Sequence, residues 1–276
     1  MNNFTQRILS GAVYVAVVVS SILVHPIYFG AVFLIVSLLA VREYHHLLQS
    51  SRGLIVSSMI GGGWLFLTAF AHYFGNTLCG GCSCMSAVEL YMCLLYGIYA
   101  IVMLIVTLIR WQNRQAYSSW ITGQLLVLCF GTMLALLHAN PYLVLMLFIT
   151  IWLNDSGAYC VGCLTAKRPQ GNHKMAPTIS PKKSWEGLIG GFVVALLAGW
   201  VFYLIGWMPS LWKALLMVLI IAVAGTYGDL VESVLKRQVG VKDSGKFMPG
   251  HGGVLDRFDS ILLAAPSLLL VYLLLF

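Results

Sequence analysis

Apolar stretches long enough to cross a membrane recur along this chain and restrict its fold more than any other feature. A membrane-spanning helix needs about 20 predominantly apolar residues, and 60% of the 276 residues are hydrophobic whereas only 9% are charged. Soluble domains carry about 25% charged residues, which help to form the polar surface that faces water. Because this composition cannot supply such a surface, many of the apolar side chains must face lipid.

The apolar pattern predicts an all-α, polytopic membrane protein with about nine transmembrane helices. The predicted spans are about 8–24, 27–41, 54–74, 87–109, 120–138, 142–163, 187–207, 211–228 and 260–276. Only His25 and Pro26 separate the first two spans, which predicts either a tight helical hairpin or a kinked, partly re-entrant pair. No small-x-small cleavage site clearly follows the first span, so we expect a retained anchor rather than a signal peptide.

The basic residues predict the orientation of these spans. With the N-terminus inside and nine spans, every Lys and Arg except Lys213 falls in a predicted inner segment. Those segments are residues 1–7, 42–53, 110–119, 164–186 and 229–259. Because cytoplasmic loops of membrane proteins are rich in Lys and Arg, topology explains most of the net charge of +7, and we expect no nucleic acid partner. The predicted location is the cell inner membrane, as a multi-pass protein with its active site on the cytoplasmic side.

The acidic residues follow a different pattern, which topology does not explain. Apart from Glu43 and Glu89, all of the nine Asp and Glu residues lie between Asp155 and Asp259. Acidic residues contribute little to membrane orientation. Their clustering with basic residues therefore predicts a functional site in the second half of the chain.

The chain shows no Gly-, Ser- or Pro-rich linker and no internal repeat of fixed period. We therefore expect a single integral membrane domain over residues 1–276. Residues 1–140 should be mainly scaffold helices, and residues 141–276 should form the catalytic half. The site is then built from the C-terminal helices and two cytoplasmic loops.

The segment from residue 225 to residue 260 carries the strongest pattern. Helix 8 is predicted to run past the membrane into this segment. Positions i, i+3, i+4 and i+7 then share one helical face, and they hold Asp229, Glu232, Ser233 and Lys236. An acidic residue at a membrane boundary is costly and usually serves a function. The alternative interpretation is an inner loop of salt-bridged charges.

The acids and bases of this segment together predict a phosphate site that contains a metal ion. Mg²⁺ prefers oxygen ligands and commonly takes one or two carboxylates together with substrate phosphates. Asp229 from one helix, with Asp256 or Asp259 from the next, is predicted to converge on such an ion. The groups expected to contact phosphates are Lys236, Arg237, Lys242, Arg257 and the backbone around His251, Gly252 and Gly253. For Lys236 and Arg237 alone, marking the cytoplasmic side is an equally good explanation.

A second pattern, TISPKKSWEG at residues 178–187, precedes helix 7. Pro181 favours a turn, and Ser184 is a candidate N-cap for the helix. A helix N-terminus attracts phosphate, and Lys182 and Lys183 add positive charge. The alternative is a capped helix with two lysines that only mark the inner side.

A third pattern surrounds Asp155, in the run Asn154-Asp155-Ser156-Gly157-Ala158-Tyr159. An acidic residue in an apolar span is a functional candidate by default. Asp155 could instead cap a broken helix or pair with a nearby lysine.

Cysteine and histidine residues outside these patterns receive structural interpretations. Cys160 and Cys163 are expected to pack inside the protein rather than to bind metal. Cys79, Cys82 and Cys84 lie in a predicted outer loop, where a disulfide could form in an oxidising compartment. The pair His45 and His46 is expected to lie on the surface at the membrane interface.

These patterns resemble the conserved motifs of the CDP-diacylglycerol synthases, the phosphatidate cytidylyltransferases. The matching stretch reads Ser233-x-x-Lys236-Arg237-x4-Lys242-Asp243-x5-Pro249-x-His251-Gly252-Gly253-x-x-Asp256-Arg257-x-Asp259. The segment Ser180-Pro181-Lys182-Lys183-Ser184-Trp185-Glu186-Gly187 is similar to the family's second conserved loop. The run after Asp155 also resembles the family, but Gly162 is followed by Cys163 where the family commonly has Gly-Arg.

The resemblance implies a reaction and a set of roles. A phosphate oxygen of phosphatidate attacks the α-phosphorus of CTP, pyrophosphate leaves, and CDP-diacylglycerol remains in the membrane for phospholipid biosynthesis. The implied cofactor is Mg²⁺, with a second cation such as K⁺, and the implied assembly is a homodimer. The implied catalytic residues are Asp229, Asp256, Lys236, Lys242 and Ser184; the substrate-binding residues are Lys182, Lys183, Arg237, His251, Gly252, Gly253, Arg257 and Asp155. The expected metal ligands are Asp229 and Asp256 first, with Asp259 next.

Two other classes of protein fit part of the pattern. One is a different CTP-dependent membrane enzyme that acts on a lipid, either a polyprenol kinase or a cytidylyltransferase for another lipid phosphate. The other is a transporter or channel, in which charges are scattered along a pathway through the membrane. Here the charges concentrate on one predicted side and in two loops, which favours an enzyme.

Overall fold

The computed structural model describes residues 3–78, 84–109, 114–167, 171–245, 247 and 252–276, and these are mostly helical. The helices are α1 (Asn3–Val24), α2 (Pro26–Leu47), α3 (Arg52–Leu78), α4 (Cys84–Ile109), α5 (Arg114–Ala139), α6 (Pro141–Ala166), α7 (Trp185–Leu204), α8 (Leu211–Gln238) and α9 (Leu255–Leu275). Within the described residues, seven helices are long and apolar enough to cross a membrane, and α1 and α4 contain shorter apolar stretches. The predicted all-α, polytopic membrane fold is confirmed.

Helices α2 and α6 begin in the same way, with a proline as the first helical residue. The side chain of His25 accepts a hydrogen bond from the Ile27 N–H at 3.2 Å, and Asn140 caps α6 equivalently. Proline is well suited to this position because the first N–H groups of a helix have no partner within the helix. His25 and Pro26 therefore end α1 and start α2, and the two helices contact each other.

Helix α2 continues to Leu47, well past the predicted end of its span at residue 41. The added turns carry His45 into the interior, where its side chain is fully buried and its Nδ1 lies 3.1 Å from Ser50 Oγ. The prediction that the histidine pair lies on the surface is therefore wrong for His45. His46 is exposed, as expected.

Contacts divide the chain into two compact units. The first contains residues 1–139 and 243–257, and the second contains 140–242 and 258–276. In the first unit α3 packs against α2, α4 and α5, and in the second α6, α7 and α8 pack against one another. The first boundary, after residue 139, lies beside the predicted division at residue 140, and the assignment of scaffold and catalytic roles to the two parts stays a prediction. The segment 243–257, which belongs to the predicted catalytic half, groups with the first unit.

A short antiparallel hairpin precedes α7 and was not predicted. Strand β1 (Lys174–Ala176) pairs with β2 (Ser180–Ser184), with Lys174 opposite Ser184. The turn between them places Pro177 second, and the Ile179 N–H donates to the Ala176 carbonyl at 3.3 Å. Proline is favoured at this turn position because its φ angle is already suitable. The prediction of a turn at Pro181 is therefore wrong, since that residue lies in β2.

Candidate functional site

Ser184 connects the hairpin to helix α7. Its side chain is buried, and its Oγ accepts a hydrogen bond from the Gly187 N–H at 3.1 Å, which confirms the predicted N-cap. Glu186, in the first turn of α7, binds His173, the residue that precedes strand β1. Its Oε1 lies 2.6 Å from His173 Nδ1, and both of its oxygens accept from the His173 N–H at 3.1 Å. The strand, the cap and the helix start are thus fixed to one another.

Helices α6 and α7 approach closely beside this cap. A Cβ atom on Gly187 would lie 2.8 Å from the carbonyl oxygen of Ala158, so only glycine permits the observed spacing. Small residues allow such backbone approach between helices in membranes. The close approach brings the Asp155 turn of α6 to the N-terminus of α7.

A cavity of about 230 Å³ lies at this junction within the second unit. Its walls come from α6, the hairpin, the start of α7, and α8. Among the lining residues are Asp155, Tyr159, Lys182, Lys183, Ser184 and Asp229. The structure therefore brings together predicted site residues from three separate parts of the sequence.

An ion pair across this cavity joins two of the predicted motifs. Lys183 Nζ lies 2.8 Å from Asp229 Oδ2, and it also donates to the Thr226 carbonyl at 3.4 Å. The other oxygen of Asp229 accepts from Ser233 Oγ at 3.2 Å. Lys183 and Asp229 keep 22% and 34% of their side-chain surface exposed, so both remain accessible to a ligand. Lys182, its neighbour on β2, is exposed.

Asp259 is the second carboxylate of this region. A Cβ on Gly228 would lie 2.6 Å from the Asp259 carbonyl oxygen, so α8 and α9 come close together one residue before Asp229. Asp259 is half-buried and interacts electrostatically with Asp229, Asp155 and Lys236. Its Oδ1 accepts from the Ser260 N–H at 2.6 Å. The predicted pairing of Asp229 with Asp259 is consistent with this geometry.

Lys236 is held by a carboxylate to which the sequence pattern gave no role. It forms an ion pair with Glu232, one turn earlier on α8, and only 3% of the Glu232 side chain is exposed. The i, i+4 spacing of Glu and Lys was the available signal. Glu232 therefore orients a cation that was predicted to bind phosphate.

The remaining predicted cations differ in their surroundings. Arg237 donates through Nε to the Ile179 carbonyl at 3.2 Å and through Nη1 to the Val241 carbonyl at 3.1 Å. Its guanidinium therefore braces the hairpin turn against the end of α8. Lys242 and Arg257 are exposed.

Asp256 has a well-defined structural role in the first unit. Its Oδ2 accepts hydrogen bonds from the N–H groups of Ser244 and Gly253, both at 2.8 Å. Gly252 adopts a φ of +86°, a conformation that L side chains rarely adopt. His251 lies outside the described residues, so its predicted role stays a prediction.

The cysteines add no metal centre in the part of the chain that the structure describes. Cys160 and Cys163 are exposed, so the prediction that they pack inside the protein is wrong. Cys79 and Cys82 lie outside the described residues, as does the side chain of Cys84.

The carboxylates can be tested for their fit to the predicted metal ion. Among the described residues, no three or more His, Cys, Asp and Glu side chains are grouped to hold one. Asp229 and Asp259 interact electrostatically, and two carboxylates suit Mg²⁺, which usually keeps several waters and takes other ligands from substrate phosphates. The donor set therefore fits a hydrated Mg²⁺ that binds with its substrate.

The fold and the cavity define a multi-pass, all-α membrane protein with a charged pocket built from three motifs. The chain belongs to the cytidylyltransferase family, whose model matches residues 5–275. It is 33% identical to a phosphatidate cytidylyltransferase of Haemophilus influenzae over 95% of this chain and 96% of that protein. It is 44% identical to the Bacillus subtilis phosphatidate cytidylyltransferase and 45% identical to that of Staphylococcus haemolyticus. These two alignments span about half the length of each relative, 52% and 46%.

Proposed function

We propose that this protein is a phosphatidate cytidylyltransferase, which converts CTP and phosphatidate to CDP-diacylglycerol and pyrophosphate. The observation that carries the proposal is the cavity in which Lys183 and Asp229 form an ion pair beside the capped start of α7. A pocket with cations, carboxylates and a helix N-terminus suits phosphate groups. Relatives that are 33% and 44% identical to this chain carry the name of this activity.

The proposed reaction transfers a cytidylyl group from one phosphate to another. A phosphate oxygen of phosphatidate forms a bond to the α-phosphorus of CTP. The bond from that phosphorus to the oxygen that bridges to the β-phosphorus breaks, and the bridging oxygen leaves with the electron pair as pyrophosphate. The attacking oxygen is already anionic, so the reaction needs no strong base. Positioning and charge neutralisation are then the main contributions of the protein.

The residues of the cavity suit these two contributions. Lys183, held in place by Asp229 and the Thr226 carbonyl, offers its ammonium group to a phosphate oxygen. Lys182 adds an exposed cation on the same strand, and the N-terminus of α7 beyond Ser184 adds partial positive charge. These groups concentrate positive charge where the phosphates of CTP and the lipid must meet.

Lys236 extends the same charge distribution along α8. Its ion pair with Glu232 fixes the ammonium group, and this group interacts electrostatically with Asp259. A cation already ordered by a buried carboxylate loses little conformational entropy when it binds a phosphate. We therefore keep Lys236 as a phosphate-binding residue.

Asp229 and Asp259 are the residues that would hold the proposed Mg²⁺. When bound, this ion neutralises phosphate charge and polarises the phosphorus–oxygen bonds. Asp256, whose Oδ2 already accepts two backbone hydrogen bonds, keeps its predicted ligand role as a prediction to be tested by Mg²⁺ titration. A second cation and a homodimer are further expectations from the family resemblance.

The proposed orientation places the site on the cytoplasmic side. Lys182, Lys183 and Lys236 belong to segments that the distribution of basic residues assigns to that side. CTP is made and used in the cytosol, so the orientation agrees with the proposed substrate.

Labelled CTP tests the proposed reaction directly. The purified protein is incubated with phosphatidate, Mg²⁺ and CTP labelled at either the α- or the γ-phosphate, and the lipids are then extracted. We expect the α label in the lipid and the γ label in pyrophosphate. Transfer of the γ label to lipid would identify a kinase instead, and absence of both labels from the lipid would overturn the transferase assignment. Polyprenyl phosphate in place of phosphatidate tests the identity of the lipid acceptor.

A further inference from the structure

Glu43, near the end of α2, is one of only two acidic residues outside the acid-rich half of the chain. The sequence patterns gave it no function. In the structure its Oε2 accepts a hydrogen bond from the Leu255 N–H at 2.8 Å and another from Ser244 Oγ at 3.3 Å. Glu43 lies on a helix that was predicted to be scaffold. It contacts Ser244 and Leu255, which both belong to the segment 225–260 that carries the strongest sequence pattern.

The same segment is held by a second carboxylate. Asp256 Oδ2 accepts from the N–H groups of Ser244 and Gly253. Leu255 is the first residue of α9, and the first N–H groups of a helix have no partner within the helix. Glu43 supplies that missing acceptor from another helix, and its negative charge is favourable at the helix N-terminus.

The glycines around this contact leave space for the carboxylate of Glu43. A Cβ on Gly253 would collide with Glu43 Oε2 and with Ser244 Oγ. A Cβ on Gly245 would lie 2.5 Å from Glu43 Oε1. A side chain at either position would therefore displace the Glu43 carboxylate from its observed place.

We propose that Glu43 is a positioning residue for the transfer reaction. By binding Ser244 and Leu255 together, it fixes the first turn of α9, which carries Asp256. Glu43 itself contacts no reacting group. The inference rests on the proposed function, because the main motif has a catalytic meaning only if the chain transfers a cytidylyl group.

Hydrogen bonds to a charged acceptor are about twice as strong as neutral ones, and misplacement of catalytic groups by about 1 Å can lower a rate about 100-fold. We therefore expect Glu43→Ala to lower kcat about 10- to 100-fold while the KM for phosphatidate changes little. The melting temperature in detergent should fall modestly, because the Leu255 N–H loses its acceptor. Glu43→Gln keeps an oxygen that can accept from Leu255, so it should retain more activity than the alanine variant. Glu43→Asp keeps the charge but loses the reach, so it should resemble Glu43→Ala.

Two controls separate positioning from other roles. Arg42→Ala removes an exposed charge from the same turn of α2 and should leave kcat within about twofold, the range of ordinary surface substitutions. Ser244→Ala removes one of the two bonds to Glu43 without altering α2, and it should lower kcat by less than Glu43→Ala does. This variant keeps the inference open to test if a change at Glu43 prevents folding. An Asp variant as active as wild type, with a Gln variant as poor as Ala, would show that charge alone matters and would overturn the inference.

Hydrogen exchange measured by mass spectrometry gives a readout that does not depend on activity. In Glu43→Ala the amide of Leu255 should exchange at least about tenfold faster than in wild type, since it loses its acceptor. The amide of Gly187, which Ser184 holds, should be unchanged. Unchanged exchange at Leu255, or full kcat in a folded Glu43→Ala protein, would overturn the inference alone. A wild-type protein that forms no CDP-diacylglycerol would instead overturn the transferase proposal and, with it, the catalytic meaning of Glu43.

Discussion

Two pairs of carboxylates in this protein have the same chemistry but opposite surroundings. In the first unit, Glu43 and Asp256 accept hydrogen bonds from backbone N–H groups at the start of α9 and from Ser244. In the second unit, Asp229 and Asp259 interact with the side chains of lysines. Carboxylates whose partners are mainly backbone groups fix a shape, whereas carboxylates that interact with lysine side chains can exchange partners when a ligand enters.

The segment 225–260 is continuous in sequence, but its carboxylates have two different physical functions. Asp256 and Asp259 lie one turn apart on α9, and the family resemblance gives them similar roles. Their contacts differ. Asp256 accepts hydrogen bonds from the backbone of the first unit, to which it belongs. Asp259 belongs to the second unit and interacts there with Asp229 and Lys236. Position in a motif therefore does not determine what a residue does.

The largest effect should come from Asp229. This carboxylate belongs to the segment 225–260 and forms an ion pair with Lys183 of the segment 178–187. Asp229→Asn removes the partner of Lys183 and one proposed metal ligand, so we expect CDP-diacylglycerol formation to fall about 10²- to 10³-fold, as when a preorganised charge is lost from an active site. The Mg²⁺ concentration that gives half-maximal rate should rise. Lys213→Gln, near the far end of α8, is the control and should stay within about twofold. Near-normal turnover in a folded Asp229→Asn protein would contradict the assigned site.

Asp256 provides the sharpest test of the comparison itself. Asp256→Asn should lower kcat about 10- to 100-fold because the loop loses a charged acceptor. If Asp256 only anchors the loop, the half-maximal Mg²⁺ concentration of a variant with residual activity should equal that of wild type. A higher half-maximal Mg²⁺ concentration, which we expect for Asp259→Asn, would instead show that Asp256 is a metal ligand. The double variant with Glu43→Ala should be less than additive, since both carboxylates hold the same segment.

Lys182 and Lys183 form a matched pair of neighbouring cations with different contacts. Lys183→Met removes a cation that is ordered by Asp229 and leaves that carboxylate without its ion pair, so kcat should fall about tenfold or more. Lys182→Met removes an exposed cation, and its main effect should be a rise of a few-fold in the KM for CTP, with kcat less affected. Steady-state kinetics with varied CTP separates the two. Equal effects of the two substitutions would show that total charge, rather than the ion pair, matters at this strand.

Much of the fold could be predicted because long apolar runs have few alternatives in a membrane. The break between α1 and α2 at Pro26 and the N-cap at Ser184 also followed from short local signals. The hairpin before α7 could not be predicted, because its first strand has only three residues and carries no clear alternation. Without that hairpin, the difference between Lys182 and Lys183 could not be seen, since it depends on which side of a strand each residue occupies.

Contacts between residues far apart in sequence escaped prediction. Glu43 and Leu255 are separated by 212 positions, and no pattern within either segment indicates the other. The burial of His45 depends likewise on the helices that pack around the end of α2. Glu232 is an exception, because its spacing from Lys236 was visible and only its burial was missing.

The smallest effect should come from Ser184, whose contacts are those of a helix cap. Ser184→Ala should lower the free energy of unfolding by about 1 kcal/mol, the usual effect of losing an N-cap, and kcat by a few-fold at most. Ser184→Thr keeps a hydroxyl that can accept from the Gly187 N–H, so it should restore both quantities if capping is the whole role. Melting curves in detergent and initial rates on the same preparations check this. If Ser184→Ala keeps its stability but loses most of its activity, the hydroxyl contacts the substrate directly. Ser184 would then be a substrate-binding residue of the cavity, as we propose for Lys183.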